Sequence, residues 1–349
     1  MLIIHVSSGL GNQMLSLAEY IAFQKMNPNQ KCYIETINYS IKQDAIKMWN
    51  GYELDRIFGI DVPNVKSLFD EHEWEEIIEE IQRSNFWANG KWDCGSAFVN
   101  AFGNHGLHVK NLCMLRGSGD ANDNNTLSSK FKPREIAKFL LGINYLKIRN
   151  RRWENSLKKE IKKPYGRIES KGNFLCGGDL KLMYKNHGME EVEEAIRRMY
   201  VFPEYTDDRN KTIAEAMRGT ASVSIHIRRG DLLGSNKDFY KYGYFKHAVE
   251  HIRKHVQSPT WFIFCLPKDV DWCRENIRTF GIDPEHESIT YVDWNTGTES
   301  YRDMQLMSEC KHNIITRTSF GFWAAYLNTN PQKITISPDA LINTNTTIV

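Results

Sequence analysis

The sequence predicts an α/β protein of two units, each with a parallel sheet covered on both faces. Three observations point there. Residues 1–37 read as strand, glycine turn, helix and strand, while from Ser222 to Ile336 short apolar runs alternate regularly with helical patterns. The chain has 349 residues, more than the roughly 250–300 at which single cores stop growing. No internal repeat is visible, so the units are expected at 1–215 and 216–349 as separate α/β halves.

In the first half, residues 2–6 form a buried strand, and Met14, Leu17, Ala18, Ile21 and Ala22 then recur at helical spacing. Between them Ser7–Gln13 (SSGLGNQ) make a tight turn at a helix N-terminus, where backbone N–H groups and the helix dipole point the same way. A phosphorylated group or a polyhydroxylated sugar over Gly9–Gln13 is the functional expectation, and an ordinary strand–helix turn is the competing one. The turn lacks the third glycine of a dinucleotide fingerprint and the Gly-Lys-Ser/Thr ending of a phosphate loop. Residues 31–37 read as a second strand, and EHEWEEIIEEIQ as a helix with Trp74, Ile77, Ile78 and Ile81 on one side. Residues 100–130 are rich in Gly, Asn and Ser and read as long loops. The basic stretch with Arg149, Arg151, Arg152, Lys158, Lys159, Lys162 and Lys163 reads first as a solvated, partly helical surface. A docking surface for an acidic membrane or a glycolipid carrier is the sharper alternative. Residues 189–200 form a helix, followed by a polar break.

In the second half, residues 222–227, 261–265, 289–292, 313–316 and 333–336 read as strands. Residues 244–256, 269–280, 301–308 and 320–327 read as helices. Such sheets bind ligands beyond the carboxyl ends of their strands.

The formal charge of +2 and a composition of 41% hydrophobic and 25% charged residues describe a globular protein and give no support to a nucleic-acid partner. No apolar run reaches the roughly 18 residues of a membrane span, and the opening residues lack a signal-peptide pattern. Cys32, Cys94, Cys113, Cys176, Cys265, Cys273 and Cys310 are scattered without a CxxC pair, which predicts reduced thiols and a cytoplasmic location, with zinc disfavoured.

One segment concentrates chemistry. The strand SVSIHIR runs into HIRRGD, residues 226–231, and so places ionisable groups at the end of an interior strand, where they are costly unless a ligand or an ion pair meets them. Alternate strand residues share a face, so His226 and Arg228 look toward one site, while Arg229 points the other way, free to brace a loop. A guanidinium fork matches two phosphate oxygens as a lysine cannot. The competing reading is a structural arginine–aspartate network. Farther on, NIIT meets Arg317-Thr318-Ser319 and then an apolar helix, so Thr318 and Ser319 are caps or phosphate ligands.

GLGNQM, YELDRIFGI, HIRRGD, SYRDMQLMSECKHNII and the SFGFWAAYL helix stand here in the order seen in the bacterial α-1,2-fucosyltransferases, glycosyltransferase family 11, which this sequence resembles. The resemblance covers nearly all of the second half and mainly the first 60 or so residues. It implies a GT-B-like architecture of two Rossmann-like domains facing across a cleft, with the acceptor on the N-terminal side. It implies GDP-L-fucose as donor, inversion, no required metal or cofactor, and a galactose-terminated oligosaccharide or glycolipid as acceptor. Arg228 would bind the β-phosphate, His226 would line the nucleotide site, and Asp231 would hold the loop or take the acceptor proton, with Glu299 and His226 as alternative bases. Arg229, Thr318, Ser319, Gly11, Asn12 and Gln13 would complete substrate binding, and Asp303 would meet the guanine edge, since a carboxylate accepts from both N1–H and the 2-amino group. Another linkage, or a non-catalytic sugar-nucleotide or glycan binder, is the alternative. Two departures stand out: Arg317 replaces the family's usual neutral amide, and Leu-Pro-Lys-Asp at 266–269 replaces Ser-Asp-Asp. Asp269-Val270-Asp271 spells a DxD, but it opens a predicted helix, where carboxylates meet the dipole favourably.

Overall fold

The computed structural model describes residues 1–41, 50–88, 94–112, 137–138, 140–160, 168, 171–177, 180–185, 188–229, 233–338 and 346–348. It divides into two units: Met1–Asn124 with Lys163–Pro203, and Asn125–Lys162 with Glu204–Val349. The expected division at 215/216 is thus replaced by an interleaved one.

Unit 1 holds strands β1 (Leu2–His5), β2 (Cys32–Glu35), β3 (Lys110–Asn111) and β4 (Phe174–Cys176), all parallel, in the order β2-β1-β4-β3. β1 is buried throughout, as a central parallel strand should be. Its helices are α1 (Leu10–Met26), α2 (Leu54–Phe58), α3 (Glu71–Ser84), α4 (Cys94–Asn104) and, after a helix of unit 2, α6 (Met189–Met199). α3 starts on a full capping box, Asp70 accepting from Glu73 N–H and Glu73 from Asp70 N–H, and buries Trp74, Ile77 and Ile81. α4 lies partly in the stretch expected as loop: its Phe98, Ala101 and Phe102 pack into the unit's core, a tertiary gain that outweighs its glycines and asparagines.

Unit 2 holds α5 (Ile143–Glu160), α7 (Asp208–Gly219), β5 (Ser222–His226), α8 (Leu233–Lys241), α9 (Tyr244–His255), β6 (Thr260–Phe264), α10 (Val270–Asn276), β7 (Ile289–Val292), α11 (Tyr301–Glu309), β8 (His312–Ile314), α12 (Ser319–Leu327), β9 (Thr335–Ser337) and β10 (Thr346–Ile348). The strands are all parallel, in the order β10-β9-β8-β5-β6-β7. Counted from β5, this is the doubly wound order 3-2-1-4-5-6 read from its other edge, and strand order reverses between β5 and β8. α9 buries Tyr244, Phe245, Ala248, Val249 and Ile252, the larger of them worth roughly 1.5–3 kcal/mol each. α5 belongs to this unit because Leu146 enters the same core. α7 begins inside the stretch read as a polar break: the Asp207 side chain accepts from Asn210 N–H and caps it.

Candidate functional site

The reversal between β5 and β8 is where this sheet type opens a crevice beyond its carboxyl ends. β5 delivers His226 there, 6% exposed. From β8 the chain continues through Thr316 and Arg317 to Thr318, whose hydroxyl accepts the Gly321 N–H at 2.9 Å and caps α12. His226 Nδ1 lies 3.4 Å from Thr316 Oγ1 and 3.4 Å from Thr318 Oγ1. A Cβ on Gly321 would stand 2.9 Å from His226 Nδ1, so only glycine lets α12 approach the imidazole this closely. Burial, helped by the Arg228 charge, pushes the His226 imidazolium down to about 3, so the ring is neutral.

Arg228 is half-buried and follows on the same edge. Its backbone is clamped at both groups: its N–H donates to Tyr240 Oη at 3.1 Å, and its carbonyl accepts from Asn236 Nδ2 at 3.0 Å. α8, not foreseen from the sequence, supplies both contacts. Arg229 turns away. It pairs with Asp269 at 3.3 Å and its guanidinium lies 3.9 Å from the centre of the Trp272 ring, contacts that brace the loop. That pair also commits the first carboxylate of the DxD. Asp231, expected as the base, lies outside the described residues.

Ser319 opens α12, half-buried, beside exposed Arg317, whose guanidinium lies 5.9 Å from the Phe239 ring. Asp303 sits in the first turn of α11, which starts at this same edge because it carries the chain back to the beginning of β8. Its Oδ1 accepts from Asn295 Nδ2 at 2.8 Å. Asn295 accepts from Asn210 Nδ2 at 2.9 Å, and Trp294 Nε1 donates to Asn210 Oδ1 at 3.0 Å. Burial raises the Asp303 carboxyl to about 8, against the Asn295 bond and with help from Asp293. Asn295 and Asn210 were missed by sequence reasoning. The polar run Asp293-Trp294-Asn295 directly after β7 was the available signal.

Unit 1 has its own strand–turn–helix, and there the expectation changes. Gln13 is fully buried, donating to Ser8 O at 3.0 Å and Gly51 O at 2.9 Å and accepting from Glu53 N–H at 2.8 Å. The Leu10 N–H at the start of α1 hydrogen-bonds the buried Glu53 carboxylate, which Arg56 neutralises at 2.7 Å. The chain's own carboxylate thus meets the Leu10 N–H of this turn, and Gln13 fastens the turn through its three hydrogen bonds. Gly11 is buried and Asn12 half-buried on the same turn.

Neutral imidazole, capped helix start, hydroxyls and a guanidinium at one strand crossing form a set suited to a diphosphate, and a carboxylate at the next helix start suits a base edge with two donors.

The chain spans less than half the length of the curated relatives described here. It is 29% identical over 133 residues to the Escherichia coli alpha-1,2-colitosyltransferase, covering 37% of this chain and 43% of that one. It is 26% identical over 182 residues to the Bos taurus galactoside 2-alpha-L-fucosyltransferase SEC1, covering 50% and 48%. Among solved structures, a mutant of Arabidopsis thaliana FUT1 in complex with GDP aligns with 96% of this chain and 69% of its own, at 11% identity and a TM-score of 0.41. The family model for glycosyl transferase family 11 matches residues 137–347, which include HIRRGD, Asp303 and the whole of α12. The chain belongs to glycosyl transferase family 11.

Proposed function

We propose that this chain is an inverting transferase that moves L-fucose from GDP-β-L-fucose to the 2-hydroxyl of a galactose-terminated oligosaccharide or glycolipid. The observation that carries the reading is the meeting of the HIRRGD strand end with the start of α12, His226 lying 3.4 Å from Thr316 and Thr318. Family membership and relatives named for α-1,2 transfer support the reaction class and the linkage.

In this reading the bond from fucose C1 to the phosphate oxygen breaks as negative charge gathers on the departing diphosphate, and fixed donors placed there lower the barrier most. Arg228, its backbone held by Tyr240 and Asn236, offers the fork. Thr318 accepts from Gly321 and so keeps its proton to donate, alongside Ser319 and the first N–H groups of α12. His226 lines the nucleotide site. With its imidazolium at about 3 it is a weak base, so the acceptor proton is assigned to Asp231, on its adjacency to the arginines in HIRRGD. Asp303 accepts from the guanine edge. In this reading the reaction needs no divalent ion, the fixed cation and hydroxyls meeting the diphosphate charge, and Asp269 of the DxD is paired with Arg229.

Calorimetry with GDP, GDP-fucose, UDP and CMP, followed by product-linkage analysis in excess chelator, tests the proposal. GDP and GDP-fucose bind, UDP and CMP bind at least tenfold more weakly, and transfer to the 2-hydroxyl persists. Arg228→Lys costs roughly 3 kcal/mol, on the order of a hundredfold in kcat/KM. Turnover of that variant within a few-fold of the parent removes Arg228 from its role. A colitosyl donor is the second reading, favoured by the colitosyltransferase relative; competition between the two GDP-sugars decides it.

A further inference from the structure

α5 is two-sided. Its inner face buries Leu146 and Asn150, at 1% and 2% exposure, and Ile143 and Tyr145 pack on the same core. Arg149, one of the cations of the basic stretch, is not part of the outer surface: it pairs with Asp238 at 3.3 Å and lies 5.2 Å over the Phe239 ring. What remains outward is a stripe at spacings of three and four, Asn144, Lys147, Ile148, Arg151, Arg152 and Asn155, all exposed. On the helical turn just before α5, joined to it by Gly142 at φ +48, Leu140 is 80% and Leu141 45% exposed.

A single exposed aliphatic residue means little. Here three of the six large hydrophobic residues exposed among the described residues, Leu140, Leu141 and Ile148, fall within nine positions. Three exposed cations, Lys147, Arg151 and Arg152, lie in the same stretch of chain, and no described carboxylate lies on the stripe. Aliphatic groups gain only where they leave water, and cations gain only where they meet fixed negative charge. A soluble polyanion satisfies the cations and leaves the aliphatics wet. The boundary of an anionic bilayer satisfies both, acyl chains taking Leu140, Leu141 and Ile148 while headgroup phosphates take Lys147, Arg151 and Arg152.

We propose that the outer face of α5, with the turn before it, docks the protein on the surface of an anionic lipid bilayer. The contact is lateral, because no helix among the described residues is long and apolar enough to cross a membrane. The proposal is independent of the nucleotide site.

The test is co-sedimentation of the full chain with vesicles of phosphatidylcholine containing phosphatidylglycerol, and of phosphatidylcholine alone, at low and high salt, with soluble polyglutamate as a third arm. The protein is expected to partition onto the anionic vesicles at low salt, to leave them at high salt and to ignore the neutral ones. Each cation at such a surface is worth about fivefold in partitioning, so K147E/R151E/R152E, which removes three cations and adds three carboxylates, should lose at least about a hundredfold. L140S/L141S/I148S should also weaken vesicle binding while leaving polyglutamate binding unchanged. All six positions are exposed, and unfolding midpoint and GDP affinity, read on the same samples, verify that the variants are folded. Equal binding to both vesicle types, no binding to either, or either triple variant binding like the parent overturns the proposal. Polyglutamate binding as tight as vesicle binding, and equally tight in the aliphatic variant, overturns it in favour of an acidic macromolecule.

Discussion

Gln13 and Glu53, forty positions apart in sequence, are bound to one another: the Gln13 amide oxygen accepts the Glu53 backbone N–H at 2.8 Å. GLGNQM and YELDRIFGI are therefore two halves of one device. Gln13 also holds the carbonyl of Ser8, whose φ of +69 is unusual for a residue with a side chain, and Tyr39 Oη donates to that same carbonyl at 2.8 Å. Gln13→Ala leaves main-chain groups of half-buried Ser8 and Gly51 and of buried Glu53 without this partner and should destabilise unit 1 by about 2–4 kcal/mol. Urea unfolding checks the loss. A variant of parental stability that no longer turns over would return Gln13 to substrate binding.

That pairing also shows where sequence reasoning stops. The strand–turn–helix and its exposed N–H groups were legible from residues 2–22, because periodicity and glycine placement are local. The ligand was not, because the anion at α1 comes from Glu53, and a long-range carboxylate leaves no mark on the turn itself. In unit 2 the alternation of strands and helices was plain, because hydrophobic periodicity is local. α8 and α7 were missed because their formation rests on tertiary partners such as Phe239 in the core and on the Asp207 cap. β10 lay beyond the last strand expected. The Asn210–Asn295–Asp303 chain joins three separate segments, so only the fold reveals it.

Gly321 is a second prediction. Its missing side chain lets α12 close on His226: an added methyl would stand 2.9 Å from His226 Nδ1, 3.1 Å from Thr318 Oγ1 and 3.3 Å from Ile315 Cβ. Gly321→Ala should cost about 1–3 kcal/mol through forced displacement, even though alanine is the better helix former. It should also weaken GDP binding, because what must shift is the proposed phosphate turn. Chemical unfolding and GDP calorimetry measure the two effects, and a stabilised variant with parental GDP affinity would contradict both.

Arg229 and Asp269 make a third. Asp269 is 6% exposed and its neighbour's guanidinium stacks at 3.9 Å on Trp272. Arg229→Ala strands a buried carboxylate and should cost about 2–4 kcal/mol, whereas Arg229→Ala with Asp269→Asn should recover part of that loss. Lysine at 229 keeps the charge but loses the planar stack, so it should fall between. A double-mutant cycle by thermal unfolding gives the coupling. Additive losses would mean that the pair is incidental.

Asp303 gives the pH dependence. Its carboxyl titrates at about 8 in the free protein, against 3.8 ordinarily, chiefly through burial. Guanine's two N–H donors require the ionised form, so below that value GDP binding must release a proton. GDP affinity should therefore rise from pH 6 toward pH 8, approaching tenfold per unit at the acid end and flattening near the top. Calorimetry in buffers of different ionisation enthalpy counts the proton directly. Stability runs the opposite way. The folded state holds a proton on this group that the unfolded chain has already lost between 3.8 and about 8, so its contribution is intact in acid and vanishes as pH climbs through the folded value. Asp303→Asn, neutral at every pH and still able to accept from Asn295, should match the parent's stability only near pH 4 and below, exceed it increasingly as pH rises toward 8, and keep a constant lead above that. The same variant should lose its preference for GDP over UDP. Affinity for GDP that is flat from pH 6 to 8, with no proton released, would detach Asp303 from the guanine edge and leave it a buried acid held by Asn295.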